Sequence, residues 1–279
     1  MHRVFHDPSL QERFDRDGYV VVDFFDDSEI CRLLEIWESL PNDLGAAPFS
    51  NTIMSRDLEY RQKVTEQVGE VFREATAALL DHYRLCLCGF NAKLPQHTGG
   101  VVQLHQDSTL VDESRYQPIG FWCPLTEVSE ENGCLRVVPG SHRLNRRPRD
   151  FLGFFPYTEL LPCLERDYLV NIPMKAGQAF VYALTLFHSS PPNRSDRLRL
   201  VAAALAIPDQ SKLRFLMRDA QEDRQLAVYE VADDFYKSYV VGSQPDESLR
   251  IGSVTEECEP LTEERLREVL GNRDASGSI

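Results

Sequence analysis

Apolar residues recur at two different spacings along this chain, and the change of spacing divides it. Over the first third the interval is helical. Ile30, Leu33, Leu34 and Trp37 lie at i, i+3, i+4 and i+7, one face of a helix. Ahead of them, Asp26 followed by Glu29 has the form of a capping box. Val64, Val68, Val71, Phe72, Ala75 and Leu79 make a second stripe, which predicts a helix from about Asp57 to Tyr83. Both stripes read as core. The run Tyr19–Val22 suits a short strand.

From about residue 85 to 207 the pattern changes to short β-rich runs separated by Gly, Pro, Asn and Ser. Strands are expected at Leu85–Ala92, Val101–Asp107, Ile119–Leu125, Leu135–Pro139, Ala179–Phe187 and Leu198–Ile207. No helices alternate with them as a parallel doubly wound sheet requires, so an all-β sandwich or barrel is expected. The tail after Pro208 is mixed. Leu213–Met217 and Leu226–Val231 suit further strands, and Thr262–Leu270, closed by Gly271, suits a helix. Glu256–Glu264 is acidic and expected to be exposed. The whole reads as one mainly β (α+β) domain over 1–279: a helical part at about 8–84, the β core, and a C-terminal extension from about 208.

Of the 279 residues, 42% are hydrophobic, enough for a sizeable core. A formal net charge of −14 disfavours nucleic acid and anionic membranes as partners. The densest basic run is Arg143, Arg146, Arg147 and Arg149. Its ordinary reading is a solvated loop, and its sharper one a clamp for an anionic substrate group. The seven Cys are irregularly spaced with no CxxC pair. That suggests reduced thiols and a cytoplasmic setting. Cys86 and Cys88 would be same-face positions of a strand, read as buried thiols. The opening MHRVFHDPSL lacks the apolar run of a signal peptide, and no stretch suits a membrane span.

The chemistry concentrates in Gln103-Leu104-His105-Gln106-Asp107. On a strand, side chains alternate, so His105 and Asp107 share a face with Gln103 behind them, while Gln106 points away. One imidazole and one carboxylate are two thirds of a facial metal site. His188, at the end of the apolar run Ala179–Phe187, is the best third ligand. Two imidazoles and a carboxylate with open positions suit a non-haem Fe(II) oxygenase, whereas closed zinc sites want four ligands. His2, His6, His82 and His97 lack such a context, and His142 follows a Pro-Gly-Ser turn. Arg199 alternates in phase with Val201, Ala203 and Leu205. If that face is interior, its guanidinium needs an anion, and the far carboxylate of 2-oxoglutarate would serve.

These pieces resemble one family. His105-Gln106-Asp107, the stretch Glu131–His142, Ala176-Gly177, His188-x-Ser190, Asn193-x-Ser195 and Arg199 look like the phytanoyl-CoA dioxygenase family of iron(II)/2-oxoglutarate oxygenases. The resemblance implies a double-stranded β-helix, a cupin-like jelly roll. It implies iron bound by His105, Asp107 and His188, and 2-oxoglutarate and O2 as co-substrates. It implies that Arg199 and Ser190 hold the co-substrate carboxylate with Trp122 nearby; Gln103 joins them only through its facing. Gln178 departs from the Asp that many members carry. Asp107 disfavours halogenation, since halogenating relatives have a small residue there.

The implied activity is oxidation of a C–H bond in a small organic substrate, releasing succinate and CO2. The alternatives are a cupin-like binding protein without turnover and a metal-dependent hydrolase or isomerase. Substrate identity and oligomeric state are not legible. Loops at Pro41–Met54, Ser108–Pro118 and Arg143–Leu161 are expected to shape the pocket.

Overall fold

The computed structural model describes residues 3–41, 47–151, 155–219, 222, 224–257 and 260–271. Cys258 and His2, and parts of the first and third loops named above, lie outside them.

Three helices and two strands open the chain: α1 (Pro8–Asp17), β1 (Tyr19–Asp23), α2 (Asp27–Ser39), β2 (Phe49–Asn51) and α3 (Leu58–Leu79). The Asp26–Glu29 capping box is formed in full at the start of α2. α3 stops short of Tyr83: Leu80 caps it, His82 takes a left-handed φ of 59°, and Tyr83 already begins β3 (Tyr83–Lys93).

The β core follows with β4 (Val102–His105), β5 (Ile119–Pro124), β6 (Leu135–Val137), α4 (Leu161–Asp167), β7 (Val170–Ile172), β8 (Gln178–Ala183), β9 (His188–Ser190) and β10 (Arg199–Pro208). The strands form a six-stranded sheet, β1-β8-β5-β10-β3-β2, and a four-stranded sheet, β4-β9-β6-β7. Every pairing is antiparallel. Together they are the jelly-roll barrel expected of this chain.

The larger sheet is buried on both faces, which is why its strands read as nearly continuous apolar runs. Ala179, Val181, Ala202 and Ala204 face outward onto Val64, Val68 and Phe72 of α3 and Leu33 and Trp37 of α2. Trp122, Phe180, Tyr182 and Val201 face inward, meeting Leu135, Val137 and Ile172 of the smaller sheet. Arg199 shares the inward phase of Val201, as its spacing predicts.

A third sheet, β11-β12-β13 (Arg214–Arg218, Gln225–Glu230, Arg250–Thr255), carries the C-terminal part. Its Phe215 and Tyr229, with Tyr236 of α5 (Phe235–Ser238), join the interior cluster. α6 (Glu263–Leu270) is capped by Thr262 and closed at Gly271.

Four expectations are corrected. The run Ala179–Phe187 is not one strand: β8 ends at Ala183, Leu186 N–H turns back to the Ala183 carbonyl, and His188 opens β9 in the other sheet. Cys86 and Cys88 do not share a surroundings, because the register slips at Cys86. Leu205 pairs Leu87 while Ala206 pairs Leu85, so the bulge turns Cys86 into the interior cluster and leaves Cys88 in the outer one. The arginine run is solvated only in part: Arg143 and Arg146 are exposed, whereas Arg147 and Arg149 are buried and paired with Glu256 and Glu113. Glu256, expected at the surface, is only 8% exposed for the same reason.

Candidate active site

β4 ends at His105, and Asp107 lies just beyond the strand. There its N–H donates to the carbonyl of Leu184, in the turn that leads to His188. β4 and β9 pair with His105 opposite His188. The hydrogen bond of Asp107 to Leu184 and the β4–β9 pair thus converge the three side chains at one point. One ligand atom from each of His105, Asp107 and His188 lies within 4.8 Å of the others.

The atoms are also the right ones. His105 Nδ1 is 2.8 Å from the Gln103 carbonyl and His188 Nδ1 is 2.9 Å from that of Leu186. A carbonyl only accepts, so each Nδ1 carries the proton and each Nε2 keeps its lone pair. Both Nε2 atoms face Asp107 Oδ1, at 3.7 and 3.9 Å. The other carboxylate oxygen, Oδ2, accepts from the Tyr182 hydroxyl at 2.7 Å.

Burial pushes the His188 imidazole down to about 4, helped by neighbouring His105. Burial works against the Asp107 charge, but His188, His105 and the Tyr182 hydroxyl hold its carboxyl well below the usual carboxylate range. Burial likewise opposes charge on His105, yet the Asp107 carboxylate 3.7 Å away leaves the imidazole above its ordinary value. Two unprotonated Nε2 atoms and one carboxylate oxygen suit a hard-to-borderline divalent metal with open positions, Fe(II) among them.

Beside the triad, Arg199 is 1% exposed and its guanidinium lies 5.3 Å from the Trp122 ring centroid. Nη1 donates to the Gly133 carbonyl at 3.0 Å, while the buried Nε has no partner. A desolvated guanidinium with a carbonyl and a free N–H suits an incoming carboxylate. Lys93, which sequence reasoning missed, is Arg199's cross-strand neighbour on β3. Its ammonium donates to the Ser190 hydroxyl at 2.6 Å and to the carbonyls of Ser190 and Pro191 at 3.0 and 2.6 Å. Ser190 therefore sits in this basic corner with its hydroxyl engaged by Lys93. Gln103 is exposed and borders the cavity, and its backbone oxygen is what orients His105.

His105 and Asp107 of the triad line a cavity of about 410 Å³. All three loops expected to shape it reach it, through Asn51, Ile53 and Met54, Ser108 and Leu110, and Phe151. Tyr236 of the C-terminal extension, which no local pattern singled out, completes a wall by stacking on Phe151 with centroids 5.7 Å apart. No Lys or Arg lines the cavity among the described residues. Arg149 and Arg147 are no substrate clamp: the first donates to Glu113 and to the backbone oxygen of Asp107, the second to Glu256. Tyr182 could have been found from the two-residue phase of β8, which puts it on the inward face with Phe180. Lys93 carried no such signal, because only the β3–β10 register sets it beside Arg199.

A family model described as phytanoyl-CoA dioxygenase matches residues 14–201. Phytanoyl-CoA dioxygenase domain-containing protein 1 of Danio rerio is 37% identical over 114 residues, which are 37% of this chain and 38% of that protein. The chain thus matches well under half the length of that relative. A homolog of the same name from Caenorhabditis elegans is 24% identical over 253 residues, covering 68% of this chain and 87% of that protein. Among solved structures, the epimerase SnoN in complex with Fe3+, alpha ketoglutarate and nogalamycin RO superposes with a TM-score of 0.56. It is 20% identical, with 93% of this chain and 98% of that chain covered, a likeness of fold.

Proposed function

Because the chain belongs to the phytanoyl-CoA dioxygenase family, we propose that it is an iron(II)- and 2-oxoglutarate-dependent oxygenase acting on a small, uncharged and largely apolar molecule. The observation that carries this is the convergence of His105 Nε2, His188 Nε2 and Asp107 Oδ1, with both imidazole tautomers set by backbone carbonyls. Iron held there would, with 2-oxoglutarate and O2, supply oxidising chemistry toward an unactivated C–H bond, with succinate and CO2 as co-products.

The chain's own residues bind and orient. His105, Asp107 and His188 would hold the metal, and His105 and Asp107 border the cavity. Arg199 takes the far carboxylate of 2-oxoglutarate, since a buried guanidinium without a carboxylate partner is otherwise costly. Trp122 covers the guanidinium and Lys93 adds positive field through the strand pair. Ile53, Leu110, Phe151 and Tyr236 exclude water from the reacting carbon. Asn51, Asn91 and Gln103 offer neutral hydrogen-bonding groups. A cavity without a lining cation, in a chain of net charge −14, favours an uncharged substrate over an anionic one. Asp107 favours hydroxylation over halogen transfer.

Reconstitution with Fe(II) and 2-oxoglutarate under anaerobic conditions, then O2 with a panel of neutral and anionic compounds, tests the reading. Substrate-triggered succinate with a product 16 mass units heavier, both lost in Asp107→Ala, is expected. Full turnover by Asp107→Ala, or turnover with Zn(II) and no 2-oxoglutarate, would overturn it.

A further inference from the structure

We infer that Tyr182 is a positioning residue that confines Asp107 to ligation through a single oxygen and so keeps one coordination position free. This rests on the proposed triad and goes beyond it. Asp107 presents Oδ1 to both imidazole Nε2 atoms, while Oδ2 accepts the Tyr182 hydroxyl at 2.7 Å. A carboxylate oxygen can only accept, so the phenol donates its one proton to Oδ2. Oδ2 is thereby engaged by the phenol while Oδ1 faces the two imidazoles.

The phenol is held in place on every side. Its ring lies 5.3 Å from Phe180 and 5.1 Å from the His188 imidazole, centroid to centroid. Its cross-strand neighbour on β5 is Gly120, where any Cβ would overlap the tyrosine ring. The missing side chain at Gly120 is what lets the ring lie across the sheet and reach Asp107.

Counting coordination positions gives the consequence. Two imidazoles and one carboxylate oxygen leave three of six positions, enough for a chelating oxo-acid and O2. A carboxylate using both oxygens would leave two, and one of the co-substrates would lose its place. Phe at 182 would fill the same space but release Oδ2 to swing toward the metal.

Co(II) titration without 2-oxoglutarate tests this, read by the d–d absorption spectrum and by affinity. In Tyr182→Phe the spectrum is expected to change and the affinity to fall roughly ten- to hundredfold, as when a group orienting a metal ligand is lost. The melting temperature of the metal-free protein serves to exclude general unfolding. Gly120→Ala, which pushes the ring off Asp107, is expected to give the same spectral change and covers the case in which Tyr182→Phe does not fold. A wild-type Co(II) spectrum in the folded variant overturns the role of Tyr182. Asp107→Ala separates this from the triad itself: if it binds Co(II) as the wild type does, the triad fails and the inference falls with it.

Discussion

Gln106 donates from Nε2 to the backbone oxygen of Thr185 at 2.7 Å, and so joins the two segments that carry the proposed metal ligands. The same amide nitrogen reaches the Asn145 carbonyl at 3.1 Å, while Oε1 has no partner. Two carbonyl partners require the NH2 group on that side. Gln106 faces away from the metal, between His105 and Asp107, and Thr185 lies in the turn before His188. Gln106→Glu keeps the size but cannot donate when ionised. We expect it to cost about 1–3 kcal/mol for each carbonyl left unpartnered, read as a fall in melting temperature. Metal affinity should fall with it, because the histidines lose their mutual register. Wild-type values for both would show that strand pairing alone sets the ligands.

Arg199→Ala should weaken 2-oxoglutarate binding roughly ten- to hundredfold, the size of a lost charge-assisted hydrogen bond of about 1.5–3 kcal/mol. Calorimetric titration of Ni(II)-loaded protein with 2-oxoglutarate measures it. Metal binding itself should persist, since Arg199 contacts Gly133 and Trp122 and no metal ligand. Unchanged 2-oxoglutarate affinity would place the carboxylate elsewhere.

Lys93 gives a pH-dependent signature. Burial, with Arg199 and Arg136 nearby, pushes its amine down to about 6. At pH 8 it is then largely neutral in the free protein. A carboxylate arriving at Arg199 offsets that repulsion and raises the amine again. 2-Oxoglutarate binding should therefore take up protons at pH 7–8, and the apparent affinity should fall as pH rises through this range. Binding enthalpies in buffers of different ionisation heat report the uptake, which Lys93→Met should remove. Equal enthalpies after correction in wild type and variant would refute the coupling.

Arg149 and Glu113 form a buried pair with Nη2 to Oε1 at 2.6 Å, and Arg149 Nε also meets the Asp107 carbonyl at 2.5 Å. Arg149→Leu leaves Glu113 buried without its cationic partner, at a cost of about 3–5 kcal/mol. Removing both with Arg149→Leu and Glu113→Leu should recover much of that loss. Chemical denaturation of the two variants measures the difference. A double variant no more stable than the single would mean that the link to the Asp107 backbone, not the ion pair, is what matters.

Much of this protein is written locally. The capping box of Asp26 and Glu29, the apolar stripe of α3 and the two-residue alternation of β10 each follow from a window of a dozen residues. Alternation reports which residues of an element share a face, and this is how Arg199 could be put in phase with Val201 and how His105 and Asp107 could be paired. The candidate ligands His105, Asp107 and His188 were named from residue chemistry, spacing and the family resemblance of the motifs around them, which are properties of the chain itself. What alternation does not report is which distant segment covers the buried face, or in what register. The β3–β10 pairing alone puts Lys93 beside Arg199, and the bulge at Cys86 alone parts it from Cys88. The turn at Leu184–Phe187 decided that His188 starts a new strand rather than ending an old one. Closure of the barrel brought the Tyr182 hydroxyl to Asp107 and buried Glu256 against Arg147, because hydrogen-bond and ion-pair partners are chosen by proximity in space, which a linear pattern does not carry.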